Sequence, residues 1–201
     1  MKHWIDADAD AVENLRLDVQ KFGFAVLSNP IVPSVLRDLQ EEAEQGRSTA
    51  TFADKNGVKY RAGIVPLGPM SLGFLRSRQV MTLLQATFSE RFVLNEHRSC
   101  LTLYKQGDFL GPHLDEPPTE CVVTIITCVA ATAPTRPSRK TGLKLHVYGR
   151  KPGPSCKPSV TFPTRTGAIV IGRGSRFWHE RPVLKRGEHV AVLTACYKVS
   201  Q

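Results

Sequence analysis

Apolar residues follow a helical period over the first ninety positions and a strand period afterwards. Val12, Leu15, Val19 and Phe22 recur at the i, i+3, i+7 spacing of one helical face, after Asp8 or Asp10 as a cap. They predict a helix ending near Lys21, where Gly23 breaks it and Phe24-Ala25-Val26-Leu27 reads as a buried strand. A second helix is expected from Pro33/Ser34 to about Gly46, with Val35, Leu36 and Leu39 inward. A third spans Ser71 to Phe88, carried by Leu72, Leu75, Leu83 and Leu84. Between them, Arg47 to Gly68 holds basic residues and an Asn56-Gly57 turn signal, the composition of an exposed hairpin or lid.

After Arg91 the expected strands are Phe92–Glu96, Cys100–Tyr104, Cys121–Val129, Leu143–Tyr148, Ser159–Phe162, Ala168–Ile171 and His189–Tyr197. Seven short strands separated by Gly, Pro, Ser and Thr turns imply a sandwich or jelly roll. The Pro- and Lys/Arg-rich connectors Ala133–Lys140 and Arg150–Pro158 read as surface loops. The expected class is therefore α+β in one domain over residues 1–201, with residues 1–90 as mainly helical support and residues 91–201 as the β core.

Composition narrows the function classes. A chain of 201 residues, 41% hydrophobic and 22% charged, builds one core and is not wholly disordered. No stretch of 18 apolar residues occurs, and the N-terminus turns acidic at Asp6, so no membrane partner and a cytoplasmic location are expected. The charge, 27 − 18 = +9, favours an anionic partner without choosing among nucleic acid, phosphate and a carboxylate-bearing small molecule. The five cysteines form no CxxC and are expected to be ordinary thiols.

Chemistry concentrates in His113-Leu114-Asp115 and, 64 positions beyond Asp115, His179. Two imidazoles and one carboxylate are the ligand set of a non-haem Fe(II) facial triad. Alternation along a strand would put His113 and Asp115 on one side, facing one metal. A His-x-acid pair is weak evidence alone. Its context, from Leu101 through Tyr104, Gly107 and Leu110 to Glu116, joins a strand, a Gly turn and the ligand pair in one unit.

Tyr104, Gly107, Leu110, His113 and Asp115, with Gly167–Ile171, His179, Pro182-Val183 and Gly187, resemble the Fe(II)/2-oxoglutarate-dependent oxygenases. Gly23-Phe24-Ala25-Val26-Leu27 after a helix looks like the entry of the prolyl-hydroxylase and phytanoyl-like members. The resemblance implies a double-stranded β-helix (jelly-roll) core with N-terminal helices packed on it. It implies Fe(II) held by His113, Asp115 and His179, with 2-oxoglutarate and dioxygen as cosubstrates. Tyr104 would contact 2-oxoglutarate.

One position departs from the family. The far carboxylate of 2-oxoglutarate is usually held by an Arg or Lys at the place occupied here by His189, with Ala191 where a Ser or Thr often follows. The expectation is that His189 serves, or that Arg186, Lys144 or Arg181 reaches in. Glu116, Arg173, Arg176 and Arg181 flank the ligand segments and are the candidate substrate contacts. The implied activity is that of a dioxygenase coupling 2-oxoglutarate decarboxylation to C–H oxidation, hydroxylation first, in a small molecule. Two alternatives stand beside it: an AlkB-like nucleic-acid dealkylase, suited by the +9 charge but lacking that branch's terminal arginines, and a catalytically silent jelly-roll binding module.

Overall fold

The computed structural model describes residues 3–52, 58–134 and 141–200. Helix α1 (Ala9–Phe22) starts at Asp8, whose side chain accepts the Ala11 N–H at 2.7 Å. It stops at Gly23, which takes the left-handed conformation (φ 79°) and donates its N–H to the Val19 carbonyl. Strand β1 (Phe24–Leu27) follows at once. Helix α2 (Pro33–Gln45) buries Val35, Leu39 and Ala43, one stripe at i, i+4, i+8. Short strands β2 (Thr51–Phe52), β3 (Tyr60–Arg61) and β4 (Gly63–Val65) come next. The Asn56-Gly57 turn signal lies outside the described residues.

The third expected helix is two, α3 (Pro69–Leu75) and α4 (Arg78–Phe88). Their division has two causes. Glu42 of α2 accepts the Met70 and Ser71 N–H groups and the Ser71 hydroxyl, anchoring the start of α3. Ser77 then caps α4 by accepting the Val80 N–H.

The β part opens with β5 (Phe92–Tyr104), a single strand where two were expected. Strands β6 (Phe109–His113), β7 (Val123–Thr132), β8 (Lys144–Tyr148), β9 (Val160–Pro163), β10 (Ile169–Gly172), β11 (Trp178–Arg181) and β12 (His189–Val199) complete it. The periodicity misses β6 and β11, the two strands that carry the metal-ligand candidates. Both are short and hold Gly, Pro or charged residues.

Two antiparallel sheets result, of seven strands in the order β1-β10-β7-β12-β5-β4-β2 and of five in the order β3-β6-β11-β8-β9. Alternation divides the seven-stranded sheet. Leu101, Leu103, Ile125, Ile169, Ile171, Leu193 and Tyr197 pack with the helices, while Phe24, Tyr104, Cys128, Val170, Val190 and Val192 line the space between the sheets. From the five-stranded sheet, Leu145, Val147 and Phe162 meet them there.

Cys121 and Cys196 form a disulfide, which corrects the expectation of ordinary thiols. Pairing of β7 with β12 sets Cys196 opposite Thr124 and brings the two cysteine Cα atoms to 4.7 Å. Cys100, Cys128 and Cys156 remain thiols. Among the described residues, no helix is long and apolar enough to cross a membrane.

Candidate metal centre

Strands β6 and β11 pair so that His113 stands directly opposite His179. Directly opposed residues point to the same face of a sheet, and the two imidazole centroids lie 4.2 Å apart. Each ring is fixed in the same way. Nδ1 of His113 donates to the Gly111 carbonyl and Nδ1 of His179 to the Phe177 carbonyl, both at 3.0 Å. A carbonyl only accepts, so Nδ1 carries the proton in each ring and Nε2 presents its lone pair to the site.

Asp115 lies two residues past the end of β6, so strand alternation does not place it. Its N–H is bound to the Gly174 carbonyl at 3.0 Å, in the turn between β10 and β11. Its Oδ1 is 3.4 Å from His113 Nε2 and 3.7 Å from His179 Nε2, and Oδ2 accepts the Thr124 hydroxyl of β7. The three ligand atoms lie within 4.8 Å of one another, a triangle that one ion can bridge. The Phe24 ring, 5.1 Å from that of His179, closes the apolar side.

The charge states suit ligation. Burial pushes His179 down to about 4, outweighing the upward pull of Asp115, so its imidazole is neutral at pH 7. Burial acts to raise the Asp115 carboxyl, but His179, His113 and the Thr124 hydroxyl hold it well below the usual carboxylate range. A neutral imidazole and an ionised carboxylate are the forms that bind a divalent cation.

The remaining candidates fall into three places. Tyr104 is buried in the space between the sheets, and burial pushes its hydroxyl up to about 12. Arg181, a candidate substrate contact and one of the three cations expected as alternatives to His189 for reaching in, is buried there, with its Cζ 5.1 Å from the centre of the Tyr104 ring. Arg173 pairs with Glu90 at 3.1 Å and covers the Phe88 ring, which ties it to the helical layer rather than to a substrate.

Glu116, Arg176, Arg186 and His189 are exposed. His189 as the cosubstrate anchor is corrected by strand parity. On β12 the interior positions are Val190 and Val192, so His189 points away from the space between the sheets. Arg186, in the turn before β12, and Lys144, which alternates outward from Leu145, do not reach in either.

Sequence reasoning missed Thr124 and Gly174. Thr124 is one hydroxyl in an apolar strand, with no local signal of its partner. Gly174 is needed because a Cβ there would stand 1.9 Å from Asp115 Oδ2 and 2.4 Å from Thr124 Oγ1.

No protein-family model matches the chain, and no curated protein matches it. Solved structures do. A Pseudomonas putida prolyl-4-hydroxylase superposes with a TM-score of 0.66 at 15% identity, over 94% of this chain and 100% of that one. The α-ketoglutarate-dependent epimerase SnoN from nogalamycin biosynthesis gives 0.72 at 14%, over 95% and 82%. An oxidoreductase of the 2OG-Fe(II) oxygenase family from Burkholderia pseudomallei gives 0.68 at 13%, over 98% and 96%. The chain therefore has the fold of the 2-oxoglutarate/Fe(II) oxygenases.

Proposed function

We propose that the protein is a non-haem Fe(II) dioxygenase that couples 2-oxoglutarate decarboxylation to oxidation of a C–H bond in a small molecule, on a double-stranded β-helix core. One observation carries the reading. His113, Asp115 and His179 converge with both Nε2 lone pairs turned to one carboxylate oxygen, on the fold that iron- and α-ketoglutarate-dependent enzymes share.

The donor set fits the metal. Two imidazoles and one carboxylate would hold the iron and leave positions for cosubstrates, and iron so held would supply dioxygen activation with the keto acid as the source of electrons. This chain's residues prepare that site. The Gly111 and Phe177 carbonyls orient the imidazoles, Thr124 holds the outer oxygen of Asp115, and Phe24 shields His179 from water. The solved neighbours include a hydroxylase and an epimerase, so the fold alone leaves the fate of the substrate open.

Anaerobic addition of Fe(II) and then 2-oxoglutarate tests the reading. A visible metal-to-keto-acid charge-transfer band is expected in the wild type and not in His113→Ala, with succinate formed on exposure to air. Iron bound through His113 without a band at any 2-oxoglutarate concentration would overturn it in favour of the silent module.

A further inference from the structure

We propose that Arg181 holds the far carboxylate of the dicarboxylic cosubstrate, so that the anchoring cation comes from the strand that bears the distal metal ligand rather than from the last strand. This rests on the Fe(II)/2-oxoglutarate reading above. Arg181 follows His179 by two positions on β11, so both side chains enter the space between the sheets. It is 4% exposed. Its Nη1 donates to Thr164 Oγ1 at 2.9 Å and its guanidinium lies over Tyr104.

Among the described residues, no carboxylate pairs with Arg181. The buried acids are engaged elsewhere: Asp108 with the Lys105 N–H and Arg61, Glu188 with Thr141, Gly142 and Lys185, and Asp115 at the metal cluster. The cavity beside the side chain, among Cys128, Leu145, Phe162, Val170 and Val192, measures about 10 Å³, room for one water molecule.

A buried guanidinium without a counter-charge is costly, and its planar fork matches a carboxylate in two parallel hydrogen bonds. The opposing positions on β12 agree. Val190 and Val192 offer no charge, and Val190 is paired with Tyr104, the ring that Arg181 covers. Among the described residues, the one buried arginine and the one metal cluster thus share an interior, the arrangement a keto acid with a second carboxylate requires.

The test compares 2-oxoglutarate with pyruvate, which chelates through the same keto acid but has no second carboxylate. Metal loading is first checked by Co(II) absorbance, and each acid is then titrated anaerobically into the Fe(II) protein, following the charge-transfer band. Arg181→Met is expected to weaken 2-oxoglutarate by about 100-fold and leave pyruvate and metal binding unchanged. Arg181→Lys, which keeps the charge but loses the fork, should fall between. Equal 2-oxoglutarate affinity in Arg181→Met and wild type would overturn the anchor alone, as would an equal loss of both acids. If the metal-loaded wild type binds neither acid, the cosubstrate reading itself fails.

Discussion

Gly174 and Asp115 approach so closely that a single methyl group on the glycine would lie 1.9 Å from the carboxylate oxygen held by Thr124. The Gly174 carbonyl also accepts the Asp115 N–H, so backbone and side chain of the ligand are both fixed against this residue. Gly174→Ala must displace the carboxylate or the turn. A loss of about 10–100-fold in metal affinity is expected, as for disruption of other groups that orient ligands. Co(II) titration checks it, with Gly153→Ala, whose added Cβ meets nothing within 4 Å, as the control. Wild-type affinity in Gly174→Ala would contradict this geometry.

Thr124→Val keeps the volume and removes the hydroxyl that Asp115 accepts. The hydroxyl is one of the groups that lower the Asp115 carboxyl, so the variant's carboxyl titrates at higher pH. Protonation competes with metal. Affinity at neutral pH should drop by about tenfold, while the acid limit of binding, set by protonation of the imidazoles, should stay where it is in the wild type. Superimposable binding curves between pH 4 and 7 would show that Thr124 does not orient the ligand.

Glu188 concerns stability rather than chemistry. Its buried carboxylate gathers the Thr141 hydroxyl and the Gly142 and Lys185 N–H groups. Burial opposes ionisation, but these donors win and hold the carboxyl below its ordinary 4.5. A lowered folded value means the contribution is complete above the unfolded value and disappears as pH falls through the folded one. Glu188→Gln should cost about 1–3 kcal/mol at pH 7. The melting temperatures of variant and wild type should converge toward pH 3, and a constant difference across that range would refute the assignment.

Much of the candidate metal centre is legible in the sequence because His113-Leu114-Asp115 follows the strand and Gly turn from Leu101 to Gly111, a context that the pair alone would lack. What escapes is set by pairing between distant strands. Asp115 is placed by the turn at Gly174, and the Cys121–Cys196 bridge exists only through the register of β7 and β12, 75 residues apart. Counting ten positions from His179 reaches His189, yet the interior of β12 begins one residue later, and one residue inverts every side chain. The same parity places Arg181 inside, two residues from a buried ligand. The sequence offers Arg181 only as one of three cations that could reach in, because the strand whose parity selects it is too short to be seen in the periodicity. The divided third helix escaped for a different reason: Leu72, Leu75 and Leu83 keep the helical period across the break at Ser77.

Arg181 links the proposed ligand to stability. In the ligand-free protein its guanidinium is desolvated and faces the Tyr104 ring and the Thr164 and Tyr104 hydroxyls but no counter-charge, an arrangement that hydrophobic replacement often improves by about 1–4 kcal/mol. Arg181→Met retains most of the aliphatic stem, fills the same space and leaves no charge buried. Thermal unfolding of the metal-free variant should therefore occur higher than in the wild type, by about 2–4 °C for each kcal/mol gained in a chain of this size. The ranking should reverse once metal and 2-oxoglutarate are added, because only the wild type then gains the carboxylate pair and the stabilisation that follows from tight binding to the folded state. Calorimetry on both proteins, with and without ligands, measures the two differences. A variant less stable than the wild type in the ligand-free state would show that Arg181 is a packing element of the interior rather than a cation held ready for an anion.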